Sequence, residues 1–175
     1  VIAASGAFPS GAGHETIALQ PATRRRREDE ETAGMTIATI LREKGDTVIQ
    51  VGPETTVRAL ASLLTDKHIG AAPVIDGGQL VGIVSERDIV HIVATEGGAA
   101  LDWPVERIMT RDAITAAPDT PLLFGLSLMT RRRIRHLPVL DGGRMVGLVS
   151  IGDLVKARID RIESEAEALR SYIAS

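Results

Sequence analysis

The sequence predicts an α+β fold made of two copies of one β-α-β-β-α unit, packed as a pseudo-two-fold pair and followed by a C-terminal helix. Three observations carry this. Residues 51–90 align with 116–155 at a constant offset of 65 without a gap, and 17 of the 40 pairs are identical. Each copy holds an apolar run, a Gly-Gly turn and a second apolar run. The last 20 residues carry a separate helical stripe. A gapless repeat of this length marks one supersecondary structure used twice, because each copy buries its apolar surface on the other.

The elements follow in order. Short strands are expected at Val48-Ile49 and Ala113-Ile114, ahead of each unit. Pro53-Glu54-Thr55-Thr56 and Pro118-Asp119-Thr120-Pro121 are turn and helix-start signals. Val57, Leu60, Ala61 and Leu64 then recur at helical spacing, as do Leu122, Leu126 and Met129. Pro73-Val74-Ile75, Asp76-Gly77-Gly78 and Leu80–Val84 read as strand, tight turn and strand. The β-branched runs are nearly continuous, which predicts strands buried on both faces. Ser85 and Ser150 open the closing helices. The expected boundaries are 35–100 for the first unit, 101–160 for the second and 155–174 for the C-terminal helix.

Residues 1–34 differ in character. They are rich in Gly, Ala, Ser, Pro and Thr, and Arg24–Arg27 runs into Glu28–Glu31. No period survives there, so a disordered extension is expected, with Met35 as the natural start. The acidic neighbour neutralises the arginine run as a nucleic-acid tail. The whole chain carries 20 basic and 23 acidic residues, a net charge of −3, which gives no general attraction for nucleic acid or membranes. Cysteine is absent, excluding disulfides, thiol catalysis and cysteine zinc sites. No apolar run approaches the roughly 20 residues that span a bilayer. Aromatics make up 2% of the chain, so the cores must be aliphatic.

Chemistry concentrates at the two helix starts. Ser85 and Asp88, repeated as Ser150 and Asp153, put a helix-capping hydroxyl one turn from a carboxylate. A carboxylate there can accept hydrogen bonds from the two adjacent hydroxyls of a ribose. The plainer alternative is a capping box that binds nothing. His14, His68, His91 and His136 have no metal-ligand spacing, and no catalytic constellation is evident. Val155, Ile159, Ile162, Ala166, Leu169 and Ile173 are spaced 4, 3, 4, 3, 4, a heptad stripe suited to a second subunit.

The motif Gly-h-h-Ser-x-x-Asp, with h apolar, occurs at Gly82–Asp88 and again at Gly147–Asp153. With Pro73–Ile89 and Ile134–Val155 around it, the chain from about 36 to 174 resembles a cystathionine-β-synthase (CBS) domain pair, also called a Bateman module. The resemblance implies a stand-alone regulatory module, not an enzyme, that binds AMP, ADP, ATP or NAD(H) without a catalytic cofactor. It implies ribose contacts from Ser85, Asp88, Ser150 and Asp153, and phosphate contacts from Arg135, His136 and Arg87. It implies adenine contacts from Val48, Ile49, Ala71, Ala113, Ile114, Leu137 and Pro138. Only the second unit has the Arg135-His136 pair, so the two sites should differ; Gly70-Ala71-Ala72 leaves room for a longer ligand such as NAD. A homodimer acting on an unidentified target protein in the cytoplasm is the expected setting. Competing readings are a ligand-free dimerisation scaffold and nucleic-acid binding through Arg131–Arg135.

Overall fold

The structure, a computed structural model, describes residues 35–45 and 47–174. The extension expected to be disordered, 1–34, lies outside the described residues. Chain order is α1 (Ile37–Lys44), α2 (Val57–Lys67), β1 (Ala71–Asp76), β2 (Gln79–Ser85), α3 (Glu86–Glu96), two 3-10 turns (Gly98–Asp102 and Val105–Arg107), α4 (Leu122–Arg132), β3 (His136–Asp141), β4 (Arg144–Ser150) and α5 (Ile151–Ala174).

The repeat holds down to hydrogen-bond register. β1 pairs antiparallel with β2, and β3 with β4, with equivalent partners such as Ala71 with Ser85 and His136 with Ser150. Both hairpins shift register at the same place, after Val74 and after Val139. The Gly-Gly turns sit at φ 54° and 80° in one copy and 54° and 81° in the other, a conformation glycine adopts without a Cβ penalty. α2 ends at His68 and α4 at Arg133, each in the left-handed region. β1 and β3 are buried along most of their length, as the continuous apolar runs require, whereas β2 and β4 are buried mainly at Gly82 and Val84 and at Gly147 and Val149.

The leading strands shorten. In place of strands at 48–49 and 113–114 there are single parallel bridges from Val51 to Val74 and from Ala116 to Val139. Pro53 and Pro118 follow two residues later in each copy. Proline has no N–H to donate, and its turn carries the chain away from the ladder.

Packing divides the chain differently from the expected 35–100 and 101–160 spans. α1 packs into the second unit: Ile37 and Ile40 join Leu122, Met129, Leu137, Val149 and Leu154 in one core. Ile37 N donates to Thr120 O at 3.0 Å, and Leu122 N to Met35 O at 3.0 Å. Conversely, Val105 and Met109 complete the first core with Leu60, Leu64, Val74 and Val84. Each unit is therefore closed by a segment that precedes the other in sequence. The periodicity of a single segment says which face is apolar, not which neighbour covers it, so this exchange was not legible.

Candidate functional site

Strand pairing delivers both Ser–Asp pairs to equivalent places. The Ser85 backbone N–H and Oγ both donate to Asp88 Oδ2, each at 2.7 Å. In the second unit Ser150 N donates to Asp153 Oδ2 at 2.7 Å, and Asp153 N donates to Ser150 Oγ at 3.1 Å. The capping box is thus formed in both copies. It occupies Oδ2 of each carboxylate; Oδ1 has no hydrogen-bond partner among the described residues.

Asp153 has a further partner that sequence reasoning missed. The Lys44 ammonium lies 2.7 Å from Asp153 Oδ2 and donates to Leu148 O at 3.2 Å. Lys44 stands outside the repeat, at the C-terminal end of α1, and only the exchange of α1 into the second unit brings it here. Ile40, Glu43, Lys44, Asp153, Lys156, Ala157 and Asp160 line a concavity of about 180 Å³ beside the pair. Burial pushes the Asp153 carboxyl up, but the hydrogen bonds from Lys44 and Ser150 outweigh it and hold the group below its usual value.

His136, opposite Ser150 in the register, is half-buried. Its ring covers Gly70 of the other unit: a Cβ built on Gly70 would lie 3.2 Å from His136 Cε1 and 3.7 Å from Glu86 Oε2. The space expected at Gly70 for a longer ligand is therefore taken by the imidazole. Burial, reinforced by Lys44, lowers the His136 pKa, and Asp153 and Glu86 pull weakly the other way. Arg135 is exposed, and its carbonyl accepts from Ile151 N at 2.8 Å. Arg87 is exposed and forms no ion pair among the described residues.

The adenine candidates split into two groups. Ala71, Leu137 and Pro138 are buried, and Leu137 belongs to the second core, so their side chains offer no surface to a ligand in this conformation. They are core residues because the inner strand of each hairpin is covered on both faces. Val48, Ile49, Ala113 and Ile114 are half-buried, and their main-chain N–H and C=O groups take no part in a hydrogen bond among the described residues. A second concavity, about 440 Å³ along Phe124, Leu128, Arg131 and Arg132, contains neither Ser–Asp pair. No group of three potential metal ligands exists among the described residues. No helix there is long and apolar enough to cross a membrane.

Comparison with known proteins agrees with this arrangement. The family model described as "CBS domain" matches residues 45–95 and 105–160. The mitochondrial CBS domain-containing protein CBSX3 of Arabidopsis thaliana is 33% identical over 163 residues, covering 88% of this chain and 78% of its own. Among solved structures, CBSX2 in complex with AMP is 28% identical with a TM-score of 0.61, over 73% of this chain and 98% of that one. The CBS domain pair of protein MJ0100, in complex with 5′-methylthioadenosine and S-adenosyl-L-methionine, is 28% identical with a TM-score of 0.65, over the same shares. Two tandem matches, a duplicated Ser-x-x-Asp helix start and a shared fold leave one assignment: the chain belongs to the CBS-domain family, as a tandem pair.

Proposed function

We propose that the chain is a regulatory module that binds an adenine nucleotide (AMP, ADP, ATP or NAD(H)) and conveys its occupancy to a partner protein. The observation that carries this is the duplicated carboxylate. Asp88 and Asp153 are each held by a capping serine through one oxygen, with Oδ1 left for the 2′- and 3′-hydroxyls of a ribose. Arg135 and His136 stand at the second helix start to meet phosphate oxygens, and Arg87 beside Asp88 is the only cation the first repeat offers at this point. The unused main chain at Val48-Ile49 and Ala113-Ile114 suits the edge of an adenine. Structural neighbours that bind AMP or methylthioadenosine support the same ligand class. A cytoplasmic setting fits, since nucleotides are abundant there.

Homodimerisation through α5 belongs to the same proposal. Val155, Ile159, Ile162 and Leu169 are 43–63% exposed along one stripe, and Ile173 is 82% exposed. A second copy would cover them.

The scaffold reading draws on one observation: both Ser–Asp pairs close on themselves as capping boxes, a structural role sufficient to account for them. Thermal unfolding separates the two. Anything that binds only the folded chain stabilises it by about 2.7 kcal/mol at one hundred times its dissociation constant. A rise in Tm with AMP, ATP, NAD or adenosine supports the sensor. No shift with any of the four at millimolar concentration supports the scaffold.

A further inference from the structure

Ile83 and Leu148 are equivalent positions of the repeat, yet their carbonyls are held by different groups. Ile83 O accepts from the Thr110 amide at 2.9 Å, and Ile83 N donates back to Thr110 O at 2.9 Å. Leu148 O accepts instead from the Lys44 ammonium at 3.2 Å, and the same ammonium lies 2.7 Å from Asp153. Asp88 forms no ion pair among the described residues. A two-way backbone bridge closes the edge of the first unit. A flexible side chain, 45% exposed, closes that of the second. Opening the bridge requires the backbone to peel away, whereas lysine releases by rotating about its own side-chain bonds.

We propose that Lys44 makes the Asp153 cleft selective for ligands that carry a phosphate or another anionic group; this rests on the reading of Asp153 as a ribose acceptor. A ribose that binds Asp153 must share its carboxylate with the ammonium or displace it. A neutral nucleoside that displaces the ammonium brings no anion in exchange. The lysine charge is then left beside half-buried His136, with Arg135 adjoining. A nucleotide brings phosphate oxygens that accept from the ammonium's three donors while its hydroxyls bind the carboxylate. Glu43, Asp160 and Lys156 share the concavity beside the pair, two acids against one further cation, so that concavity adds no net attraction for an anion beyond Lys44 itself. The Asp88 cleft, with no ion pair to exchange, discriminates less between nucleoside and nucleotide.

The test isolates the second cleft with Asp88→Asn and compares AMP with adenosine by calorimetry in chains carrying Lys44, Lys44→Met or Lys44→Arg. With Lys44 present, AMP binds at least about tenfold more tightly than adenosine, a difference of about 1.4 kcal/mol. Lys44→Met narrows that ratio at least about fivefold by weakening AMP and leaving adenosine unchanged or tighter. Lys44→Arg keeps the ratio. A melting curve checks that each variant folds, and Lys44→Gln replaces Lys44→Met if the latter does not. An unchanged ratio with persistent binding overturns the role of Lys44 alone. Loss of all binding in the Asp88→Asn chain, with binding retained in wild type, overturns it by showing that Asp153 holds no ligand. Absence of binding in wild type overturns it together with the nucleotide-binding function.

Discussion

Leu41 packs over Gly147 so closely that a Cβ built on the glycine would lie 2.5 Å from Leu41 Cδ2. A Cβ built on the equivalent glycine, Gly82, would lie 2.7 Å from Met109 Sδ and 2.9 Å from the Thr110 carbonyl oxygen. The glycine of Gly-h-h-Ser-x-x-Asp is therefore the site where the exchanged segment crosses β2 or β4, and a side chain there has no room. Gly82→Ala must move backbone as well as side chain and should cost about 1–3 kcal/mol. Gly147→Ala meets only a flexible leucine and should cost less. Urea midpoints of the two variants check the order, and an equal or reversed cost would contradict it.

The exchange of α1 also separates two truncations. Removing residues 1–34 leaves Met35 to pack against the second core and to accept from Leu122, so Tm should hold. Removing residues 1–46 strips Ile37 and Ile40, both buried, from that core. Losing two such side chains costs several kcal/mol, at about 2–5 each by analogy with truncation to alanine. Cooperative melting of the second unit should weaken or vanish. Equal melting of the two truncated chains would show that α1 is dispensable.

Two pH windows follow from the site. Asp153 is held below its usual pKa, so the unfolded chain binds its proton first as pH falls. Its contribution is fully present above about pH 4 and is lost as pH drops through the folded value. His136 is also lowered, which for a base means that the folded state resists protonation. Its contribution is fully present above about pH 6.5 and declines as pH falls from there toward the folded value. Asp153→Asn should flatten the acid limb below about pH 4, and His136→Gln should flatten the slope just below about pH 6.5. Denaturant midpoints across pH check both, and an unaltered slope in either variant would contradict its assignment.

The heptad stripe of α5 gives the oligomer test. Ile162→Asp would bury a carboxylate in the seam of a dimer, where an unpaired charge costs several kcal/mol. Light scattering should report a lower mass than for wild type. An unchanged mass would move the dimer contact away from this helix.

What the sequence made legible was what the repeat itself encodes. Hairpins, Gly-Gly turns, the apolar faces of α2 and α4 and the paired Ser–Asp helix starts all lie within the 40-residue alignment, where one copy checks the other. Lys44 was missed because it lies outside the repeat and reaches Asp153 across 109 residues of sequence. Ala71, Leu137 and Pro138, adenine contacts by the resemblance, are buried along the inner strands, a placement that the continuous apolar runs do make legible. The leading bridges fall two or three residues after the expected strands at 48–49 and 113–114, because β-branched content marks extended chain without marking where the ladder engages.

The most direct test of nucleotide binding is a calorimetric titration of AMP into wild type, Asp88→Asn, Asp153→Asn and the double variant. Removing one carboxylate from a ribose costs charge-assisted hydrogen bonds of about 1.5–3 kcal/mol each. Each single variant should lose at least about tenfold in affinity at one cleft while the other still binds, and the double variant should lose both. Folding should survive, since Asn keeps an acceptor for the capping serine. Undiminished AMP affinity in the double variant, with its fold intact, would contradict the assignment of these two carboxylates as the ribose sites.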